Sequence, residues 1–207
     1  MNNTIFPTKG NLINTKKSLK LARLGFDLMD RKRNILIREM MSLIDQANQL
    51  RDKVDKTFSE AYMALQKANI TLGVCEKIAK MIPEEETVEI TYRSVMGVEI
   101  PSVTQQDSKV GAYYGFWGTN SQMDQAYLSF HKVKLMMAQL AEIENSVYRL
   151  AVAVKKTQGR ANALKNIIIP QFEYTVKYIA DALEEKEREE FSRLKVIKAN
   201  KSNGKTA

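Results

Sequence analysis

The sequence predicts an all-α fold: a long antiparallel two-helix coiled-coil hairpin, with a short β-hairpin and an aromatic, glycine-rich loop at its turn end. Three observations predict it. Proline is absent from residues 8–82 and from 102–169, so no ring interrupts the helical ladder over either stretch. Apolar residues recur within both stretches at a spacing of 3.5 residues, the period of a left-handed coiled coil. The connection between them holds a run with period-two alternation and then three glycines among aromatics, the composition of a strand pair and a turn-rich loop.

Residues 1–10 form an N-terminal extension, and the first helix is predicted over residues 11–82. In a heptad frame started at Leu12 the a positions are Leu12, Leu19, Phe26, Arg33, Met40, Ala47, Val54, Ala61, Ala68, Cys75 and Ile82, ten of eleven apolar. The d positions run from Thr15, Ala22, Met29 and Leu36 to Ile78, so that 17 of 21 core sites are apolar, about twice what composition alone gives. A helix of that length spans about 108 Å at 1.5 Å per residue. Pro83 disfavours helical geometry at Ile82 and ends it, and the acidic residues Glu84, Glu85 and Glu86 follow.

Residues 83–120 are the connection. Thr87 to Arg93 alternates apolar and polar side chains, Met96-Gly97 supplies a turn, and Val98 to Ile100 leads to Pro101, which reads as a β-hairpin. Gly111, Gly115 and Gly118 surround Tyr113, Tyr114, Phe116 and Trp117. Two readings of these aromatics are open: local core against the helices, or anchors for a partner.

Ser121-Gln122-Met123-Asp124 has the form of a capping box and opens a second helix over residues 121–199. Its d positions Ala126, Val133, Leu140, Val147, Val154, Ala161 and Ile168 are apolar, as are Met123, Phe130, Met137 and Ala151 at a, while Glu144 and Gln158 break the pattern. Gly159 and Pro170 weaken the helix, and a bend is predicted near Pro170. Glu184 with Arg188 and Glu189 with Arg193 are helix-supporting pairs four residues apart, and residues 200–207 are predicted to be a flexible tail. Antiparallel folding of the two helices buries both stripes and encloses no cavity.

Composition narrows the function. No basic start precedes an apolar run at Met1 to Pro7, and the longest uncharged stretch, residues 110–123, is 14 residues long, short of the roughly 20 apolar residues a spanning helix needs; a soluble protein is expected. The single cysteine, Cys75, excludes an internal disulfide and thiolate-rich metal sites and suits a reducing compartment, and its a position marks it for packing. His131 is the only histidine, which excludes histidine-based metal sites. Neither phosphate-cradling glycine motif is present, so no cofactor, metal or catalytic residue is expected. The carboxylates among residues 184–190 alternate with Lys186 and Arg188 and read as a solvated, self-paired face. The methionines read as core filling. Arg33, at an a position, either snorkels its charge to solvent or fixes register where the seam opens to a partner.

The net charge of +8 is unevenly placed. Nine basic residues lie between Lys9 and Arg38 against Asp27 and Asp30, and the tail beyond Glu190 carries Arg193, Lys195, Lys198, Lys201 and Lys205 with no acid. Both termini are therefore basic and favour acidic partners.

Pro7-Thr8-Lys9, Leu19-Lys20-Leu21-Ala22-Arg23-Leu24-Gly25 and Lys32-Arg33-Asn34-Ile35-Leu36 resemble the N-terminal helix of the D-subunit family of V-type and archaeal A-type rotary ATPases. The C-terminal arm is similar in order and spacing through Gly159-Arg160-Ala161-Asn162-Ala163-Leu164, Ile169-Pro170, Tyr178-Ile179 and Glu187-Arg188-Glu189-Glu190 to Arg193-Leu194-Lys195. Residues 84–120 match only in kind, and Lys165 stands where relatives usually carry an acid. The resemblance implies a non-catalytic central-stalk rotor shaft that transmits torque. It implies as partners the A and B subunits of the catalytic ring, the small central-stalk F subunit and a membrane-rotor adaptor. It also implies a cytoplasmic location peripheral to the membrane, with neither membrane insertion nor nucleic acid as a direct partner. Candidate contacts to the A/B ring are Arg23, Arg31, Lys32, Arg160 and Arg193. Candidate contacts to stalk partners are Val88, Ile90, Tyr92, Tyr113, Tyr114 and Trp117.

Two other classes share parts of the pattern. A prefoldin-like chaperone pairs coiled-coil helices with a β-hairpin but works through apolar tips, whereas the paired termini here are basic. A nucleic-acid-binding hairpin accounts for the positive charge, yet the acidic runs at 84–86 and 184–190 dilute it.

Overall fold

The computed structural model describes residues 6–84, 88–105 and 111–203. Glu85, Glu86 and Thr87, residues 106–110 of the loop, the first five residues of the N-terminal extension and the last four of the tail lie outside the described residues. The elements in order are α1 (Lys9–Leu72), α2 (Glu76–Ala79), β1 (Val88–Val95), β2 (Val98–Gln105), α3 (Ser121–Ala163), a π-helical segment (Leu164–Ile168) and α4 (Ile169–Asn203). They divide into two compact units, one of residues 34–155 and one of residues 1–33 with 156–207.

In the unit of residues 34–155, α1 and α3 run antiparallel. Arg51 meets Glu144 at 2.6 Å, the Tyr62 ring meets Phe130 edge-on with centroids 5.5 Å apart, and Thr71 meets Gln122 at 3.2 Å, so one partner descends in number as the other ascends. The buried residues of α1 here are Leu36, Leu43, Val54, Ala61, Ala64 and Ala68, every one on the heptad frame. Alanine at three of these sites allows close approach of the backbones, and removal of such stripes from water is the main favourable contribution to the pairing.

On α3 the frame holds through Met123, Ala126, Val133 and Leu140 and then changes. The buried side chains that follow are Ser146, Leu150 and Thr157, and then Ala161, while Glu144 and Ala151, which the strict heptad places at a, are exposed. From Leu150 through Thr157 to Ala161 the steps are seven and four residues, so the buried stripe shifts aside from the expected frame while keeping heptad spacing, and Val147 and Val154 at d still pack against the same core. The change coincides with a third partner, for Ile100 of β2 joins Leu36, Leu43 and Leu150 in one cluster, with Val95 and Val98 packed against it. The hydroxyl of Ser146 is satisfied by the Glu142 carbonyl at 2.7 Å, so its burial leaves no orphaned group.

The first helix stops at Leu72, ten residues before the predicted end. Gly73 adopts φ +75° and its N–H donates to the Asn69 carbonyl at 2.9 Å, the left-handed glycine stop that an L side chain adopts only with strain. The heptad nevertheless continues to read as apolar because Cys75, Ile78 and Ile82, carried by the short α2 and its flanks, pack with Ala68, Leu72, Tyr114 and Met123. The cap of α3 also differs from the expected one. Asn120 Oδ1 accepts the Met123 N–H at 3.1 Å, so Asn120 rather than Ser121 is the N-cap, and Asp124 turns instead to Tyr114.

The hairpin is longer than the alternation predicts. β1 and β2 pair antiparallel from Val95↔Val98 to Val88↔Gln105, and the two-residue turn places Met96 at φ 51° and Gly97 at φ 75°, both left-handed as this turn demands. Pro101 does not end β2. It lies opposite Tyr92 at a site whose N–H position faces away from β1, where a missing donor costs no ladder bond.

In the unit of residues 1–33 with 156–207, α1 runs antiparallel to the π segment and α4. Lys9 meets Glu187 at 2.9 Å, Arg23 meets Glu173 at 2.6 Å, and Lys165 lies 5.8 Å from the Phe26 ring centroid. Thr8 Oγ1 accepts the Asn11 N–H at 3.2 Å and caps α1. Ala22, Ala161, Ile179 and the hydroxyl-bearing Thr15 are buried. Pro170 is accommodated by the widened turn before it, in which the Ile169 N–H reaches back five residues to the Leu164 carbonyl; α4 then runs on to Asn203, past the predicted start of the tail.

The altered register of α3 has a direct consequence for stability. Leu150→Ala is expected to cost about 2–5 kcal/mol by the cavity it leaves, while Ala151→Ser is expected to stay within about 0.5 kcal/mol. Chemical denaturation of the two variants checks this, and the strict heptad gives the opposite order.

Candidate functional site

Among the described residues the geometry offers open depressions. One is a groove of about 330 Å³ between the hairpin and α3, lined by Val88, Ile90, Tyr92, Pro101, Val103, Ala138, Ala141, Glu142, Asn145 and Arg149. Among the described residues no group of three or more His, Cys, Asp or Glu side chains is gathered for a metal ion, and no helix is long and apolar enough to cross a membrane.

The five basic candidates all fall in the unit of residues 1–33 with 156–207. That unit carries 19 basic and nine acidic residues, a net of +10, whereas residues 34–155 carry 13 and 15, a net of −2. Two of the candidates are engaged within the chain: Arg23 with Glu173 at 2.6 Å and Arg193 with Glu189 at 3.8 Å. Both pairs are solvent-exposed, and such pairs contribute about 0–1 kcal/mol, which makes them readily exchanged for other partners. No ion pair among the described residues engages Arg31, Lys32 or Arg160. Arg31 stands five positions after Phe26 and Arg160 five before Lys165, so the contact between Phe26 and Lys165 puts the two guanidinium-bearing positions at the same level of the helix pair. Lys165 itself turns its ammonium to the face of the Phe26 ring. Arg33, at its a position, forms an ion pair with Asp30 at 2.7 Å on its own helix.

One feature of this unit is not among the sequence-based expectations. Every described side chain from residue 184 to residue 201 is exposed, and among them Phe191, Leu194, Val196 and Ile197 are 53–70% exposed. Phe191, Leu194 and Ile197 follow at three-residue steps, which places them along one side of α4. That spacing is present in the sequence, but the surrounding charges overshadow it.

The six hairpin and loop candidates fall in the other unit, and the structure separates them. Val88, Ile90 and Tyr92 are 43–59% exposed; on the face they share, Arg149 stacks over the Tyr92 ring at 5.4 Å. Tyr114 is core and not a surface anchor: it is buried against Ala68, Cys75 and Met123, and its hydroxyl donates to Asp124 Oδ1 at 2.7 Å. Tyr113 is half-exposed, edge-on to Tyr127, and its ring fills the space beside Gly111, where an added Cβ would lie 3.0 Å from it. Trp117 is fully exposed and Phe116 nearly so. Of the loop aromatics, Tyr114 is thus local core, while Phe116 and Trp117 stand in the open. Burial, then the hydrogen bond to Asp124 and its negative charge, push the Tyr114 phenol up to about 12, because each disfavours the phenolate.

The chain is similar to known proteins over nearly its whole length. The family model for the ATP synthase D subunit matches residues 11–199. A V-type ATP synthase D subunit from Thermotoga neapolitana is 48% identical over 197 residues, covering 94% of this chain and 97% of that one. An A-type ATP synthase D subunit from Methanosphaera stadtmanae is 37% identical over 201 residues, covering 95% and 94%. One from Thermococcus kodakarensis is 37% identical over 198 residues, covering 93% and 92%.

The Tyr114 environment gives a pH dependence with a definite sign. Its folded pKa of about 12 stands above the ordinary value of 10.0, so its contribution to stability is complete below about pH 10 and is lost as pH rises from there toward about 12. Alkaline titration followed by phenolate absorbance is expected to show one late-titrating tyrosine that Tyr114→Phe removes. The same substitution is expected to flatten the loss of unfolding free energy across that window.

Proposed function

The chain belongs to the ATP synthase D-subunit family, and from that premise we propose that it is the central rotor shaft of a V-type or A-type rotary ATPase. On this reading it transmits torque between the nucleotide-handling A/B ring and the membrane rotor and catalyses no step itself. Membership supports a place in the complex; the residues support the role. A shaft needs continuous helix pairing and exchangeable end contacts, whereas an enzyme needs a pocket with converging polar groups.

The observation that carries the proposal is the character of the unit of residues 1–33 with 156–207: a net charge of +10 together with a helix whose residues 184–201 are all exposed. Exposed Phe191, Leu194 and Ile197 beside Arg193, Lys195 and Lys198 are costly in water and suit a lined, acidic cavity in a partner. We assign the A/B ring to this end. Arg31, Lys32 and Arg160 are its foremost contacts, because no ion pair among the described residues holds them, and Arg23 and Arg193 are contacts that trade a weak internal partner for an external one. Charge–charge contacts across a wet interface lose and regain partners at small cost, as a turning part requires. The small F subunit and the membrane-rotor adaptor are assigned to the other unit, through Val88, Ile90, Tyr92, Tyr113 and Trp117.

Co-expression with candidate A, B, F and adaptor subunits tests the assignment. The full chain is expected to join a complex with ATPase activity. Replacing Arg31, Lys32 and Arg160 together by Gln is expected to weaken its hold on the ring about tenfold or more, with a smaller penalty at high salt, where the wild-type contact is itself screened. Unchanged assembly, hydrolysis and ion pumping in the triple variant would show that these cations carry none of the contact.

A further inference from the structure

We propose that the outer edge of β1 receives an extended strand from another subunit of the complex, which adds to the hairpin as a third strand. The inference deepens the shaft reading and rests on it.

The two edges of this hairpin are treated differently. Val103 N–H points away from β1 and donates to Glu142 Oε2 at 2.9 Å. The Glu99 carbonyl accepts from Arg149 Nη1 at 3.2 Å, and Pro101 has no N–H to leave unpaired. Two outward groups of β2 are thus met by side chains of α3, and at a third position there is no donor to meet. Because facing residues of an antiparallel pair alternate between bonded and non-bonded sites, the partners of these residues, Ser94, Tyr92 and Ile90, also turn their N–H and C=O outward, as does Val88. No hydrogen bond among the described residues engages those outward groups. Seven of the eight residues of β1 are exposed.

Proteins blunt bare edges with charged side chains, lysine above all, or with proline, a bulge or a cover. β1 has no lysine, proline or bulge and carries its two charges, Glu89 and Arg93, on one face; its exposure shows no cover, and Val88, Ile90 and Tyr92 make the other face apolar. A bare edge with an apolar face is the arrangement by which a sheet recruits a further strand: main-chain bonds hold it, and alternate side chains select it.

The other face indicates what kind of strand. Arg93 is already paired with Glu39 of α1 at 3.4 Å, while Glu89 has no ion pair among the described residues. The strand that fits carries apolar residues at the positions beside Val88, Ile90 and Tyr92, and a Lys or Arg on the opposite face beside Glu89. A second copy of this chain would bring Arg93 to Glu89 only by giving up its ion pair with Glu39, whereas a strand with an unengaged Lys or Arg gives up none.

The probe is the complex formed by co-expressing the full chain with the A, B, F and adaptor subunits. Hydrogen exchange at the Ile90 and Tyr92 amides is expected to be fast in the free chain and slowed about tenfold or more in the complex, as for a main-chain donor newly bonded. Glu89→Arg is expected to reduce that protection. Ile90→Pro removes one outward N–H and, as Pro101 shows on the facing strand, no ladder bond; it is expected to weaken retention of the strand-donating subunit, while Ile90→Val preserves it. A complex that forms with these amides exchanging as in the free chain overturns strand addition and leaves the shaft reading standing. Protection that appears in the free chain as its concentration rises overturns it in favour of self-pairing, and a chain that joins no complex overturns both readings.

Discussion

The structure depends on one constraint, that each helix can bury a single narrow stripe against one antiparallel neighbour. In the unit of residues 34–155 the stripe of α1 is Leu36, Leu43, Val54, Ala61 and Ala68, and in the other unit it includes Thr15 and Ala22. The constraint explains the small residues, which bring the backbones close, and the polar seam residues, which return their hydroxyls to their own helix, as Thr15 does to the Asn11 carbonyl at 2.7 Å. It also explains the many large apolar side chains left in water, Leu21, Ile70 and Tyr148 among them. Those side chains leave apolar surface to offer partners.

The seam is also where the sequence is most legible, because a period of 3.5 residues is a global pattern that no single exception obscures. The exceptions themselves are informative. Glu144 breaks the second frame because the buried stripe steps aside there toward Leu150, one position from Ala151, and a shift of one position does not show in a count of apolar residues. Its cause, Ile100 arriving from 50 residues away in sequence, is a tertiary contact that periodicity cannot reveal. Gly73 is readable as a stop signal, yet Cys75, Ile78 and Ile82 prolong the apolar frame beyond it, so the pattern outvotes the punctuation. At Asn120 and Ser121 two good capping residues stand side by side, and the choice between them is made by Asn120 reaching Thr71 of the opposing helix at 2.7 Å.

The candidate surfaces are legible in composition but not in detail. Excess charge at both termini is a property of the linear sequence, and the fold gathers it into one unit without altering it. Which cations are already engaged depends on the antiparallel register, which pairs Arg23 with Glu173 and leaves Arg31 and Arg160 level with each other. Among the loop aromatics the outcome turns on one hydroxyl. Tyr114 goes inside because Asp124 accepts its proton donor, whereas the indole of Trp117 stays outside. The bare edge of β1 cannot be read at all from alternation, since the two strands of a hairpin look alike until a helix lies along one of them.

The central claim is that this chain turns within its complex, and it is tested most directly by watching it do so. A bead attached through Trp117→Cys, with Cys75 buried at 7% exposure and so shielded from the label, is expected to rotate in one direction when ATP is supplied to the complex fixed by its A/B ring. Hydrolysis that proceeds while the bead shows only undirected motion would contradict the account.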